Sequence, residues 1–72
     1  MSDKLPVVSG EKAIKALVKL GFVVRRQRSS HVVLQKNRIV FAVPLHSKLK
    51  KGTLRAILRQ AEISIKEFKE QL

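Results

Sequence analysis

The segment FVVRRQRSSHVVLQKNRIVFAVP, residues 22–44, decides the fold. It contains three runs rich in β-branched residues, separated by two short polar breaks. Phe22–Arg28 reads as a first strand, His31–Lys36 as a second and Ile39–Val43 as a third. Ser29-Ser30 and Asn37 supply the turns. Links this short join antiparallel neighbours, so the three strands form a meander. Pro44 ends the third strand, because its nitrogen has no hydrogen to give to a sheet ladder.

The flanks on either side read as helices. Upstream, Ser9 is placed to cap a helix beginning at Gly10. Ala13, Ile14, Leu17 and Val18 then form an apolar face at helical spacing, with Lys12, Lys15 and Lys19 on another face and Gly21 as the stop. Downstream, residues 44–50 form a loop, and a second helix is expected over Lys51–Ala61. Its buried stripe is Leu54, Ile57, Leu58 and Ala61, with Arg55 and Arg59 facing away. Ser64 and Glu67 have capping-box spacing and start a short third helix. The resulting order is α-β-β-β-α with a short C-terminal helix. This is an α+β arrangement in which two helices pack on one face of a three-stranded antiparallel sheet and leave the other face open.

Period two divides the second strand into Val32 and Leu34 on one side and His31, Val33 and Gln35 on the other. If the aliphatic pair faces the helices, His31 lies on the open side. The third strand is apolar at every position from Ile39 to Val43, so its inward set is not assigned by pattern.

The 72 residues are read as one domain, residues 1–72. Sixteen Lys and Arg against five Asp and Glu give a formal charge of +11. That excess argues for a polyanionic partner: nucleic acid first, an anionic membrane second, an acidic protein third. No carboxylate side chain occurs between Lys12 and Ala61, so the body of the domain is the cationic surface. At 44% hydrophobic residues the chain is too apolar for a disordered polycation. Absence of cysteine excludes a disulfide framework and a thiol nucleophile, and points to a reducing, cytoplasmic setting. No apolar run approaches the ~18 residues of a membrane span, so a membrane partner is not expected. Two histidines and five acids leave little capacity for a metal site, and none is expected. Three Phe, with no Tyr or Trp, poorly supply a stacking platform for single strands.

Two places carry candidate chemistry. His31 follows Arg25, Arg26 and Arg28 on the neighbouring strand, and an imidazole takes up and releases a proton near neutral pH. The same residue also reads as an ordinary surface histidine beside two serines. Lys48, Lys50, Lys51, Gly52 and Thr53 surround the start of the second helix, where backbone N–H groups point outward and suit a phosphate. The plainer reading there is a set of solvated lysines screened by salt. His46 lies in the loop between these two places and is an auxiliary candidate.

Several ordered segments carry a resemblance. They are Lys19-Leu20-Gly21-Phe22, Arg26-Gln27-Arg28-Ser29-Ser30-His31, Val43-Pro44-Leu45-His46-Ser47, Leu49-Lys50-Lys51-Gly52-Thr53-Leu54, Ile57-Leu58-Arg59-Gln60-Ala61, and Ile63-Ser64 with Glu67-Phe68. Over nearly its whole length the chain resembles the HicA-type (YcfA-like) toxins of prokaryotic toxin–antitoxin pairs. The resemblance implies a fold like the double-stranded RNA-binding domain and an mRNA interferase, an endoribonuclease that arrests translation. It implies that His31 is catalytic and that a HicB-type antitoxin binds the toxin and covers that site. RNA and phosphate contacts are then expected from Arg26, Arg28 and Ser30 and from Lys48, Lys50, Lys51, Gly52 and Thr53, with mRNA as the substrate and no small-molecule cofactor. Two positions depart from the family pattern: Ser29 stands where a glycine is usual, and Glu62 replaces the glycine after the second helix. The rival reading is a non-catalytic RNA-binding module of the same fold.

Overall fold

The computed structural model describes residues 4–72. Its elements run α1 (Gly10–Lys19), β1 (Val23–Arg28), β2 (His31–Lys36), β3 (Ile39–Pro44), α2 (Lys51–Ala61) and α3 (Ile65–Lys69). The sheet is antiparallel in the order β1-β2-β3, as the short turns require. Its first residue is Val23 rather than Phe22, because Phe22 is used to close α1.

That closure is local chemistry. Ser9 Oγ accepts the Lys12 N–H at 3.1 Å and starts α1. At the other end the Phe22 N–H reaches the Leu17 carbonyl and the Gly21 N–H the Val18 carbonyl, both at 3.0 Å. This pair of bonds is a Schellman motif, and Gly21 supplies the positive φ of 104° that it needs. Lys36 reinforces the same corner: its Nζ donates to the Leu20 carbonyl at 2.9 Å and lies 5.7 Å from the centre of the Phe22 ring. A second closure of the same kind ends α2, where the Glu62 and Ile63 N–H groups bond the Arg59 and Leu58 carbonyls. Glu62 holds the left-handed position there, with φ 58°. Ser64 and Glu67 form the reciprocal capping box of α3.

Register settles the inward sets of β2 and β3, while β1 is exposed along its whole length. Val32 pairs with Val43 and Leu34 with Phe41, and all four are buried. Val40 and Ala42 of β3 are exposed on the opposite face, which the uniformly apolar run left unassigned. Ala13, Ala16 and Leu17 of α1, and Leu54, Ile57, Leu58 and Ala61 of α2, cover the inward face. Phe22 meets Phe41 edge-on at 5.3 Å, and Phe68 anchors α3 in the core. The expectation that Val18 joins the α1 core face is corrected: it is 45% exposed and Ala16 takes the inward place. At 100° per residue, a face centred on Ala13, Ala16 and Leu17 turns Val18 outward.

A bulge in β1 corrects strict alternation. Arg28 pairs with His31, Gln27 with Val32 and Arg26 with Val33, but Leu34 then pairs with Val24. Arg25 is the extra residue. Without the bulge it would sit opposite Leu34, the place that Val24 takes, itself 46% exposed on this edge strand. With it, Arg25 and Arg26 line one depression of the open face together.

The loop after β3 is tied down at three points. The Gly10 N–H bonds the His46 carbonyl at 2.8 Å, the Leu45 N–H bonds the Ser30 carbonyl at 2.7 Å, and the Leu49 N–H bonds the Val8 carbonyl at 2.8 Å. Gly10 is buried against β3 so closely that a Cβ there would overlap the Pro44 carbonyl oxygen. Gly10→Ala is therefore expected to destabilise the protein by about 1–3 kcal/mol in urea titrations, the usual range for overpacking.

Among the described residues, Ser29, Asn37 and Glu62 are the non-glycine residues with positive φ. That conformation costs an ordinary L-residue roughly 1–2 kcal/mol, partly offset by the entropy that glycine loses on folding. Ser29→Gly and Glu62→Gly should each raise stability by about 0.5–1 kcal/mol, seen as a rise of several degrees in Tm. Asn37→Gly should do little, since asparagine already tolerates the left-handed region.

Candidate active site

β2 delivers His31 to the open face at its first position. The residue is exposed, opposite Arg28 on one side and Pro44 on the other. Register places Arg26 on the same face through its pairing with Val33, and the bulge adds Arg25. Arg25, Arg26, Val33, Gln35 and Val40 line a shallow depression of about 320 Å³ on that face. His31 stands beside this depression at the hairpin end of the strands and does not line it. The open face therefore combines cationic β1 side chains with an aliphatic floor from β2 and β3.

The turn that precedes His31 is held in a strained conformation. Ser29 has φ 54°, the position at which the family pattern carries glycine, and its carbonyl accepts from Gln27 Nε2 at 3.4 Å. The Ser30 carbonyl is occupied by the Leu45 N–H, which extends the β2–β3 pairing one step past His31. Ser30 is exposed, so its hydroxyl faces solvent beside the imidazole.

Lys48, Lys50, Lys51 and Gly52 are exposed, and Thr53 is half-buried. Lys50 is the N-cap of α2, has no side-chain capping bond, and is followed by no acid in the first turn. The first intrahelical bond runs from the Leu54 N–H to the Lys50 carbonyl. The N–H groups of Lys51, Gly52 and Thr53 thus have no partner within the helix, at its positive end. His46 is exposed between the two sets of residues, two positions beyond the Pro44 that pairs with His31. The three backbone ties of the loop fix the α2 terminus relative to the His31 hairpin.

Sequence reasoning named Arg26 and Arg28 as contacts; the structure adds Arg25 to their face. Adjacent arginines in a strand beside a helix layer were the available signal, since simple alternation must send one of them inward. Of the other basic residues, Lys36 is committed to the α1 corner, and Lys15 pairs with Glu11 at 3.6 Å on an exposed helix face. Among the described residues no three His, Cys, Asp or Glu side chains come together as a ligand set, and no helix is long and apolar enough to cross a membrane.

No curated protein matches the chain. The family described as HicA toxin of bacterial toxin-antitoxin matches residues 10–63, from the first residue of α1 to just past the closure of α2. The matched span holds the whole sheet, both larger helices, His31 and the α2 terminus. The chain belongs to the HicA toxin family, and its membership implies a cognate antitoxin as partner.

Proposed function

We propose that this toxin is an endoribonuclease, an mRNA interferase acting in the cytoplasm, with His31 as its catalytic residue. The observation that carries the reading is the placement of an exposed imidazole on an open, carboxylate-free sheet face beside Arg25, Arg26 and Arg28. His31 accepts the proton of a ribose 2′-hydroxyl as that oxygen attacks the adjacent phosphorus. The bond from phosphorus to the 5′-oxygen then breaks, leaving a 2′,3′-cyclic phosphate and a 5′-hydroxyl. The leaving oxygen takes a proton from a general acid, and His46 is the auxiliary candidate for that role. Arginines on the same face stabilise the added negative charge on phosphorus. The reaction needs no metal ion.

The α2 terminus contributes binding. Lys48, Lys50, Lys51, Gly52 and Thr53 hold a phosphate of the same RNA strand through ammonium groups and outward N–H groups. A HicB-type antitoxin inhibits by covering the His31 face, where exposed Val23 and Val40 beside the arginines offer aliphatic contact.

His31→Ala should lower RNA cleavage by about 10²–10⁴-fold, the usual contribution of a general acid or base, and abolish growth arrest with an unchanged circular dichroism spectrum. Wild-type cleavage should persist with a chelator present. RNA that stays intact but is bound tightly by the wild type would instead establish the non-catalytic RNA-binding module.

Binding is measured separately in the His31→Ala background. There the further change Lys50→Ala/Lys51→Ala should weaken RNA binding. It should also reduce the slope of log Kobs against log salt concentration by about 0.7 for each phosphate no longer neutralised. An unchanged slope would place the phosphate elsewhere.

A further inference from the structure

On the helical side of the molecule, a groove of about 400 Å³ runs between the N-terminal segment, α1 and the C-terminal residues. Pro6, Val7 and Leu72 give it an apolar floor, and Lys12, Lys15 and Lys19 form one wall. Val7 is 67% exposed and Leu72 53% exposed, so neither is satisfied by the core. Lys19 Nζ donates to the Gln71 carbonyl at 3.2 Å and fixes the far end of the groove. None of these residues belongs to the sheet or to the α2 terminus.

We infer that this groove is a docking site for an acidic, amphipathic helical segment of another protein, separate from the RNA-cleaving face. An amphipathic helix places apolar side chains at i, i+3, i+4 and i+7 into such a floor. Carboxylates on the flanks of that helix then meet Lys12 and take the place of Glu11 on Lys15, the two lysines lying three residues apart on one side of α1. Charge complementarity selects this occupant. A sugar–phosphate backbone would meet the lysines but bring no apolar group to Val7 and Leu72. A second copy of a +11 chain would bring like charge to the same wall.

The test uses the full chain, isotope-labelled for amide spectra, and two peptides of identical Leu/Glu composition. One carries Leu at i, i+3, i+4 and i+7, and the other is scrambled. The amphipathic peptide should bind at least tenfold more tightly than the scrambled one, and shift amides at residues 7–8, 12–19 and 71–72 while leaving β2 unmoved. Val7→Glu, at an exposed position, should weaken binding at least tenfold, whereas His31→Ala should leave it unchanged. The second variant keeps this proposal distinct from the cleavage reading. Equal affinity for both peptides would overturn the inference, as would shifts spread over the sheet or a Val7→Glu variant that binds normally. So would stronger perturbation of the groove amides by an RNA oligonucleotide or by phosphatidylglycerol vesicles, or their disappearance through self-association at rising protein concentration.

Discussion

Pairing of β2 along both of its edges is the constraint on which the rest depends. A central strand cannot slip by one residue without breaking two ladders at once and turning Val32 and Leu34 out of the core. With those two side chains inward, Val43 and Phe41 must follow on β3, and α1 and α2 have one face to cover. The described residues supply a single helical layer. The opposite face is left to solvent, and His31, Val33 and Gln35 are on it by parity alone. The exposure of the imidazole is thus a consequence of how the core is built.

Around this strand, the backbone bonds of the 44–50 loop join parts that are distant in sequence. Val8, Gly10 and Ser30 each hold one point of the loop, so the start of α1, the β1–β2 turn and the start of α2 form one corner. Conformational strain lies in the same corner. Ser29 is held at positive φ immediately before Ser30-His31, in a turn whose partners are fixed on both sides. Strain of this kind persists where the surrounding structure over-determines it, and it clusters at functional sites.

The charge is accommodated by exposure. No charged side chain among the described residues is buried, and Lys15–Glu11 is their one ion pair. Exposed pairs of that kind contribute little. Cations gather on three separate surfaces, the open sheet face, the α2 terminus and the outer wall of α1, with others spread over α2, α3 and the β2–β3 turn. Aliphatic residues accompany the first and the third, through Val23 and Val40 on the sheet and Val7 and Leu72 at the groove. A partner for either surface must therefore satisfy apolar area as well as charge.

Local chemistry by itself determined the elements. Ser9, Gly21 and the Ser64–Glu67 pair mark helix ends through hydrogen bonds and backbone torsions within a few residues, and β2 and α2 are legible residue for residue; Pro44, read as the end of β3, lies within it, and the pairing runs on to Leu45. Alternation in His31–Gln35 also determined that the histidine is outside, and the Lys12–Ala61 stretch without acids determined the cationic surface. What depends on packing was not legible. The run Ile39–Val43 is apolar throughout, and only its register with Val32 and Leu34 selects Phe41 and Val43 for the core. Val18 has the hydrophobicity of a core residue but the wrong angle on α1. Arg25 reaches the open face through a bulge between Val24 and Arg26, which shows only in the pairing of β1 with β2. The groove beside α1 joins residues 6–8 to residues 71–72, and no periodicity within either segment records that they meet. Torsions and hydrogen bonds of near neighbours are written in sequence; the choice among apolar residues, and the meeting of the chain ends, is made by the core they enclose.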